Sequence, residues 1–243
     1  MIDSLVILGD NLLGPSLELD ALRGYRERAS IEHVIAAPAR GRDYTLPAAN
    51  TRLAEATATE TWISRLARVD PNQGIDAVAE LRRCVDLGCV GLFLNPDEEV
   101  FRIQDAEPII RAAAELELPT VIVAGVPLRS EPLQVLEVAD RVPAAKLVLT
   151  SGGQVNITGL GMADAWIALT SNANIAVLSN GEYRQDFLER IPRELGDDRL
   201  LYASMAPYYD ADFEAARIRN IDYPAAVRAA VEAGTARALF DLP

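Results

Sequence analysis

The chain has 243 residues, of which half are hydrophobic, and its 36 acidic against 23 basic side chains give a formal net charge of −13. That composition is the one globular proteins have, and its sign excludes a nucleic-acid partner, which would need a basic footprint on one face. No apolar run approaches the ~18 residues of a membrane helix, and no basic stretch precedes Ile2, so membrane and secretory readings fall away and a reducing cytoplasm is the expected compartment.

Short apolar, β-branched runs alternate with longer helical patterns along the whole chain. The runs cover 4–8, 31–36, 61–69, 89–94, 120–124, 146–150, 175–178 and 199–203. Most are continuous rather than alternating, which marks parallel strands buried on both faces. Between them, 74–87 places Ile75, Val78, Leu81 and Val85 on one face and charge on the other, and 107–116, 133–141 and 185–195 repeat the pattern. Pro47 opens a helix through Ala56 in the second crossover. Pro71-Asn72, Gly88, Pro119 and Pro143 punctuate the alternation. Eight strand–helix repeats with no linker, no internal sequence repeat and no GxGxxG after the first strand predict an α/β chain folded as a single-domain (β/α)8 TIM barrel over residues 1–243.

Several segments then resemble the amidohydrolase-related, metal-dependent hydrolases of the TIM-barrel type. Ile2-Asp3-Ser4-Leu5-Val6-Ile7-Leu8-Gly9 stands where that family opens with I-D-x-H-x-H-x-G. Arg68-Val69-Asp70-Pro71 and the later stretch from Gly88 to Pro96 are similar to its R-V-[ND]-P and G-x-x-G-[IL]-K-[LF]-H-P segments. Residues 119–125 and 147–153 fall where the family has strands ending in H-x-G and G-H-G-G, 196–207 resembles the run ending in L-G-x-D-R-[VI]-L-[FW]-G-S-D-x-P, and 234–242 resembles its final helix. The resemblance implies a metal and a base at the strand ends. At the matching positions this chain has Leu5 and Ile7, Phe93 and Asn95, Val123, Ser151 and Met205. None of these supplies the imidazole or carboxylate of the family pattern, so no metal or other cofactor is expected.

Other chemistry-bearing residues have plainer readings. His33, the single histidine, lies inside an apolar strand and reads as a buried, hydrogen-bonded side chain. Cys84 and Cys89 have neither zinc-knuckle nor framework spacing and read as small core residues. Lys146 is the only lysine, which fits a GC-rich genome better than salt adaptation. At the C-terminal rim, where barrels bind ligands, the polar groups are Asp10, Asn11, Asp70, Asn95, Asp97, Ser151, Asn156, Ser179, Asn180, Glu182, Ser204, Tyr208, Tyr209 and Asp210. The acidic ones stand mostly where turns favour Asp or Asn. Asn95, Ser151, Asn180, Ser204 and Tyr208 are the candidates for holding a small polar ligand, and no residue is put forward as catalytic or metal-binding. Three functions follow. The first is a non-catalytic relative acting through a homo-oligomer or an active paralogous subunit, with Trp166 and Pro207-Tyr208-Tyr209 as possible interface groups. The second is a barrel that binds a small molecule, and the third a hydrolase or lyase with metal-independent chemistry.

Overall fold

The apolar runs form eight strands: β1 (Ile2–Leu8), β2 (His33–Pro38), β3 (Ile63–Arg68), β4 (Cys89–Leu94), β5 (Thr120–Ile122), β6 (Leu147–Leu149), β7 (Ile175–Leu178) and β8 (Leu200–Leu201). The structure is a computed structural model that describes residues 1–12, 14–154 and 160–243. Between the strands lie α1 (Leu19–Arg28), α2 (Leu46–Ala56), α3 (Ile75–Asp86), α4 (Glu107–Glu115), α5 (Pro132–Arg141), α6 (Leu160–Ser171) and α7 (Gln185–Leu195), and α8 (Ala211–Asn220) follows β8. Each strand pairs in parallel with the next, in the order β1 to β8. The sheet closes on itself where the Met205 N–H donates to the Leu5 carbonyl at 2.8 Å and the Ile7 N–H to the Ala206 carbonyl at 2.7 Å. This is a (β/α)8 barrel.

Two apolar layers hold it. Alternate strand residues face opposite sides, so Val6, Leu8, Val34 and Ala36 pack outward against the helices while Leu5, Ile7, Ile35 and Ala37 fill the interior. The β1–β2 register slips between Asp3 and Val6. That slip lets Ile2 and Leu5, three apart, both join the interior cluster. Burying each such side chain is worth about 1.5–3 kcal/mol, and this two-sided demand is why the strands read as continuous hydrophobic runs. At the N-terminal end Phe240 and Leu242 belong to the same interior cluster and stop the barrel from below. The fit there is tight. A Cβ on Gly91 would stand 2.8 Å from Leu66 Cδ2 and 2.9 Å from the Pro119 carbonyl oxygen, so only glycine fits.

Two elements depart from the sequence pattern. Helix α6 has little apolar periodicity, because Met162, Trp166, Ile167 and Leu169 are spread round it and Asp164 is its one charge. The expected run at 199–203 pairs as a strand only at Leu200–Leu201. Arg199 instead reaches back and donates to the carbonyls of Leu169, Asn172 and Ile175, each at 2.8 Å, satisfying the end of α6. No helix among the described residues is long and apolar enough to cross a membrane.

Candidate functional site

Strand alternation decides which side chains reach the mouth at the C-terminal ends of the strands. Leu5, Ile7, Phe93, Val123 and Met205 all point inward, share one apolar cluster, and are at most 7 % exposed. Tyr208 and Tyr209 pack over that cluster from the loop after β8.

On the β1–β4 side the mouth is closed by an ionic cluster. Leu66 faces inward, and so does Arg68 two residues on, with its guanidinium 5.5 Å from the Phe93 ring centroid. Buried Arg68 donates from Nη2 to Glu98 Oε2 at 2.5 Å and to Glu99 Oε1 at 2.7 Å, from Nε to Glu99 Oε1 at 3.2 Å, and from Nη1 to the Pro38 carbonyl at 3.1 Å. The Tyr208 hydroxyl donates to Glu98 and accepts from Asn11 Nδ2 at 2.8 Å. Burial pushes the Glu99 carboxyl up to about 7 even beside Arg68. Its Oε2 is buried with no hydrogen-bond partner, so one oxygen of the carboxylate lacks the donors that would hold the charge there. Burial and the Glu98 carboxylate both raise the Tyr208 phenol, which stays protonated as the donor of that pair.

On the β6–β8 side the innermost groups are neutral. The Ser151 N–H donates to Asn180 Oδ1 at 3.3 Å, and Asn180 Nδ2 donates to Ser151 Oγ at 3.2 Å and Met205 Sδ at 3.3 Å. Tyr209 OH lies 3.5 Å from Ser151 Oγ. Its ring covers Gly181, which has φ +63° and where a Cβ would meet the ring at 2.5 Å. Just behind, Gln154 Nε2 donates to Glu182 Oε2 at 2.5 Å and the Arg184 N–H to Glu182 Oε1 at 2.8 Å. Arg217 ties Glu214 to the carbonyls of Ser179 and Glu182.

The amidohydrolase family profile matches residues 17–242. The chain belongs to the amidohydrolase family. Among solved structures it is similar to 2,6-dihydroxybenzoate decarboxylase from Rhizobium, at 20% identity over 99% of this chain and 98% of that one, with a TM-score of 0.78. It is also similar to 5-carboxyvanillate decarboxylase from Sphingomonas paucimobilis, at 15% identity over 100% and 99% of the two chains and a TM-score of 0.78. A dihydroxybenzoic acid decarboxylase from Polaromonas, described with bound manganese, superposes with a TM-score of 0.77 at 20% identity, over 99% of this chain and 96% of that one. No match was found among curated protein sequences. At these identities the structural likeness speaks for the fold.

Within this family barrel, the five candidate pocket residues separate. Ser151 and Asn180 are together, bonded to each other. Tyr208 lies with the ionic cluster. Asn95 is buried and accepts from the N–H groups of Asp97 at 3.2 Å and Glu98 at 3.3 Å, shaping the loop that carries Glu98 and Glu99. Ser204 does not join them. Its neighbours Ala203 and Met205 face the interior. Its N–H donates to buried Asp3 at 2.9 Å, in a network with Tyr25 and Tyr202 outside the barrel wall, where burial lifts the Asp3 carboxyl to about 6.

The plainer readings can be placed too. His33 opens β2 at the end opposite the mouth, buried, with Nε2 2.9 Å from Ser64 Oγ, and burial lowers its pKa. Cys84 and Cys89 are free thiols, and Cys84 is buried. Asp70 caps a turn by accepting from the Asn72 N–H at 3.0 Å, and Asp210 caps α8 by accepting from the Phe213 N–H at 2.8 Å. Asn156 lies outside the described residues. The sequence reading missed the pairing of Arg68 with Glu98 and Glu99. Its signal was present: an arginine at an inward strand position needs a buried partner, and two adjacent glutamates follow the next strand.

Proposed function

We propose that this chain is an amidohydrolase-family barrel that has lost the catalytic metal site and works by association with a protein partner, not by turnover. The apolar filling by Leu5, Ile7, Phe93, Val123 and Met205 carries this reading. A catalytic metal needs about three protein ligands and an open position for water. These side chains offer hydrocarbon, an aromatic ring and one weak thioether, and a hydrated ion among them would lose its water with nothing in exchange. The residues do not fit the metal that the family resemblance implies. The adjacent carboxylates of Glu98 and Glu99 are both paired with the buried Arg68 guanidinium, whose positive charge opposes a cation beside them. Among the described residues no group of three His, Cys, Asp or Glu is placed to hold a metal ion.

The test is metal content by plasma mass spectrometry, on protein purified without chelator or a histidine tag. A turnover assay on 2,6-dihydroxybenzoate and 5-carboxyvanillate with added Mn²⁺ or Zn²⁺ accompanies it, because proteins of similar structure are named for those acids. Far less than one metal per chain and no turnover are expected. A stoichiometric transition metal would overturn the reading.

Metal-independent chemistry has one observation in its favour. Glu99 Oε2 is buried beside the mouth with no hydrogen-bond partner, and burial raises this carboxyl to about 7, which suits general acid–base work at neutral pH. Turnover by metal-free protein that is lost in Glu99→Gln would establish that alternative.

A further inference from the structure

The most exposed large apolar side chains of the described residues gather at one end of the barrel. Tyr44, Ile75, Val100, Leu128, Tyr183 and Phe213 are 55–84 % exposed, and they follow β2, β3, β4, β5, β7 and β8 in turn. Single apolar residues on a surface are ordinary. Six confined to the strand-end rim are a pattern.

Four of them share one continuous arc, because the loops after β2 to β5 are tied together. Arg40 donates to the Glu98 carbonyl, and Asn72 Nδ2 to the Glu99 carbonyl at 3.0 Å. Arg129 Nη1 donates to the Pro96 and Asp97 carbonyls at 3.3 and 3.2 Å, and the Ile103 N–H to the Arg129 carbonyl at 2.7 Å. A surface cross-tied in this way is organised before anything binds, which lowers the ordering cost of association.

The backbone adds an independent observation. Tyr44, Val100 and Leu128 have φ of +59°, +56° and +64°. Turns of this shape favour Gly or Asn, and a β-branched residue there is an outlier. Backbone strain and exposed apolar area therefore fall on the same three residues, of which Tyr44 has its ring 5.9 Å from the Arg40 guanidinium.

Charge says what covers the arc. Apart from Glu98 and Glu99, which pair with Arg68, loops 39–45, 69–76, 95–105 and 123–131 hold six carboxylates against four guanidiniums. A second copy would bring acid against acid, whereas a basic partner would complement it. At the β2 end the arc meets a cleft of about 440 Å³ between α1 and α2, walled by Leu17, Pro38, Ala49 and Leu53 and rimmed by the Arg42–Asp10 and Arg52–Asp43 ion pairs. Such a cleft takes an apolar anchor side chain.

We propose that the rim arc carrying Tyr44, Ile75, Val100 and Leu128 is the docking surface for a different protein, one presenting apolar anchors ringed by arginine and lysine. The inference rests on the association reading above and adds the face and the partner's chemistry.

The test places a photo-crosslinking amino acid at position 128 of the full chain, and at position 167 on α6 as control, in the cells that make the protein. The contact peptide is then sequenced. Position 128 should capture another protein through a basic, apolar peptide, and position 167 should not. That protein, purified, should bind the chain with an affinity that falls as salt rises, and at least tenfold more weakly when Val100→Asn and Leu128→Asn are combined. Asparagine tolerates the left-handed backbone, so this variant should unfold at no lower temperature than the parent. Capture of a second copy of this chain, equal or no capture at the two positions, or a partner bound equally by the variant would each overturn the proposal. A stoichiometric metal with turnover would sink the association reading while leaving the crosslinking result to stand or fall by itself.

Discussion

The two halves of the barrel mouth are closed by different chemistry. On the β1–β4 side a buried guanidinium is shared between two carboxylates, and on the β6–β8 side an amide and a hydroxyl satisfy each other. A buried ion pair gains little over well-packed apolar groups, yet removing one partner leaves a charge with no water and no counter-ion. Neutral pairs lack that asymmetry on the same scale. The ionic half is therefore the less tolerant of single changes, although it need not contribute more stability as a whole.

The sharpest way to break the comparison is Arg68→Ala, which strands Glu99 and should cost about 3–5 kcal/mol, read as a lower midpoint in urea unfolding. Replacing the whole cluster at once, with Arg68→Met, Glu98→Gln and Glu99→Gln, should recover part of that loss. On the neutral half, Asn180→Ala removes the acceptor of the Ser151 N–H and should cost about 1–3 kcal/mol. A loss equal to that of Arg68→Ala would erase the distinction between the halves. Tyr208→Phe deletes a hydroxyl on a half-buried ring beside Glu98 and should cost about 1 kcal/mol, less than either.

The finest test is pH. Glu99 titrates near 7 when folded against an ordinary 4.5, so between those values the folded chain keeps a proton that the unfolded chain has released. The Glu99 contribution to stability is fully present below about 4.5 and is lost as pH rises toward about 7. Glu99→Gln should flatten the fall in unfolding free energy across that window. A slope unchanged in the variant would mean that other groups, Asp3 first among them, set the pH dependence.

The barrel was legible because its physics is periodic. Continuous apolar runs mark strands buried on two faces, and they located all eight. Helix α6 was obscured because an apolar helix without a charged face has no period to read. Inward positions such as Leu5, Ile7 and Met205 follow from strand alternation once the family frame is laid on the chain. Ser204 misled because it stands at a rim position by number yet faces outward by parity, between inward Ala203 and Met205. The union of Arg68 with Glu98 and Glu99 spans 30 residues and two strands, a distance that local pattern does not cross.

The closure of the barrel also bears on how the chain is made. The edge of β1 opposite β2 is completed by residues about 200 positions later, since Leu5 accepts from Met205. While the intervening strands leave the ribosome, Ile2–Leu8 has β2 on one side and bare backbone with apolar side chains on the other. Such an edge can pair with any nascent neighbour. The segment that seals the finished fold is thus the one whose late arrival leaves the newborn chain most open to aggregation, and to the chaperones that prevent it.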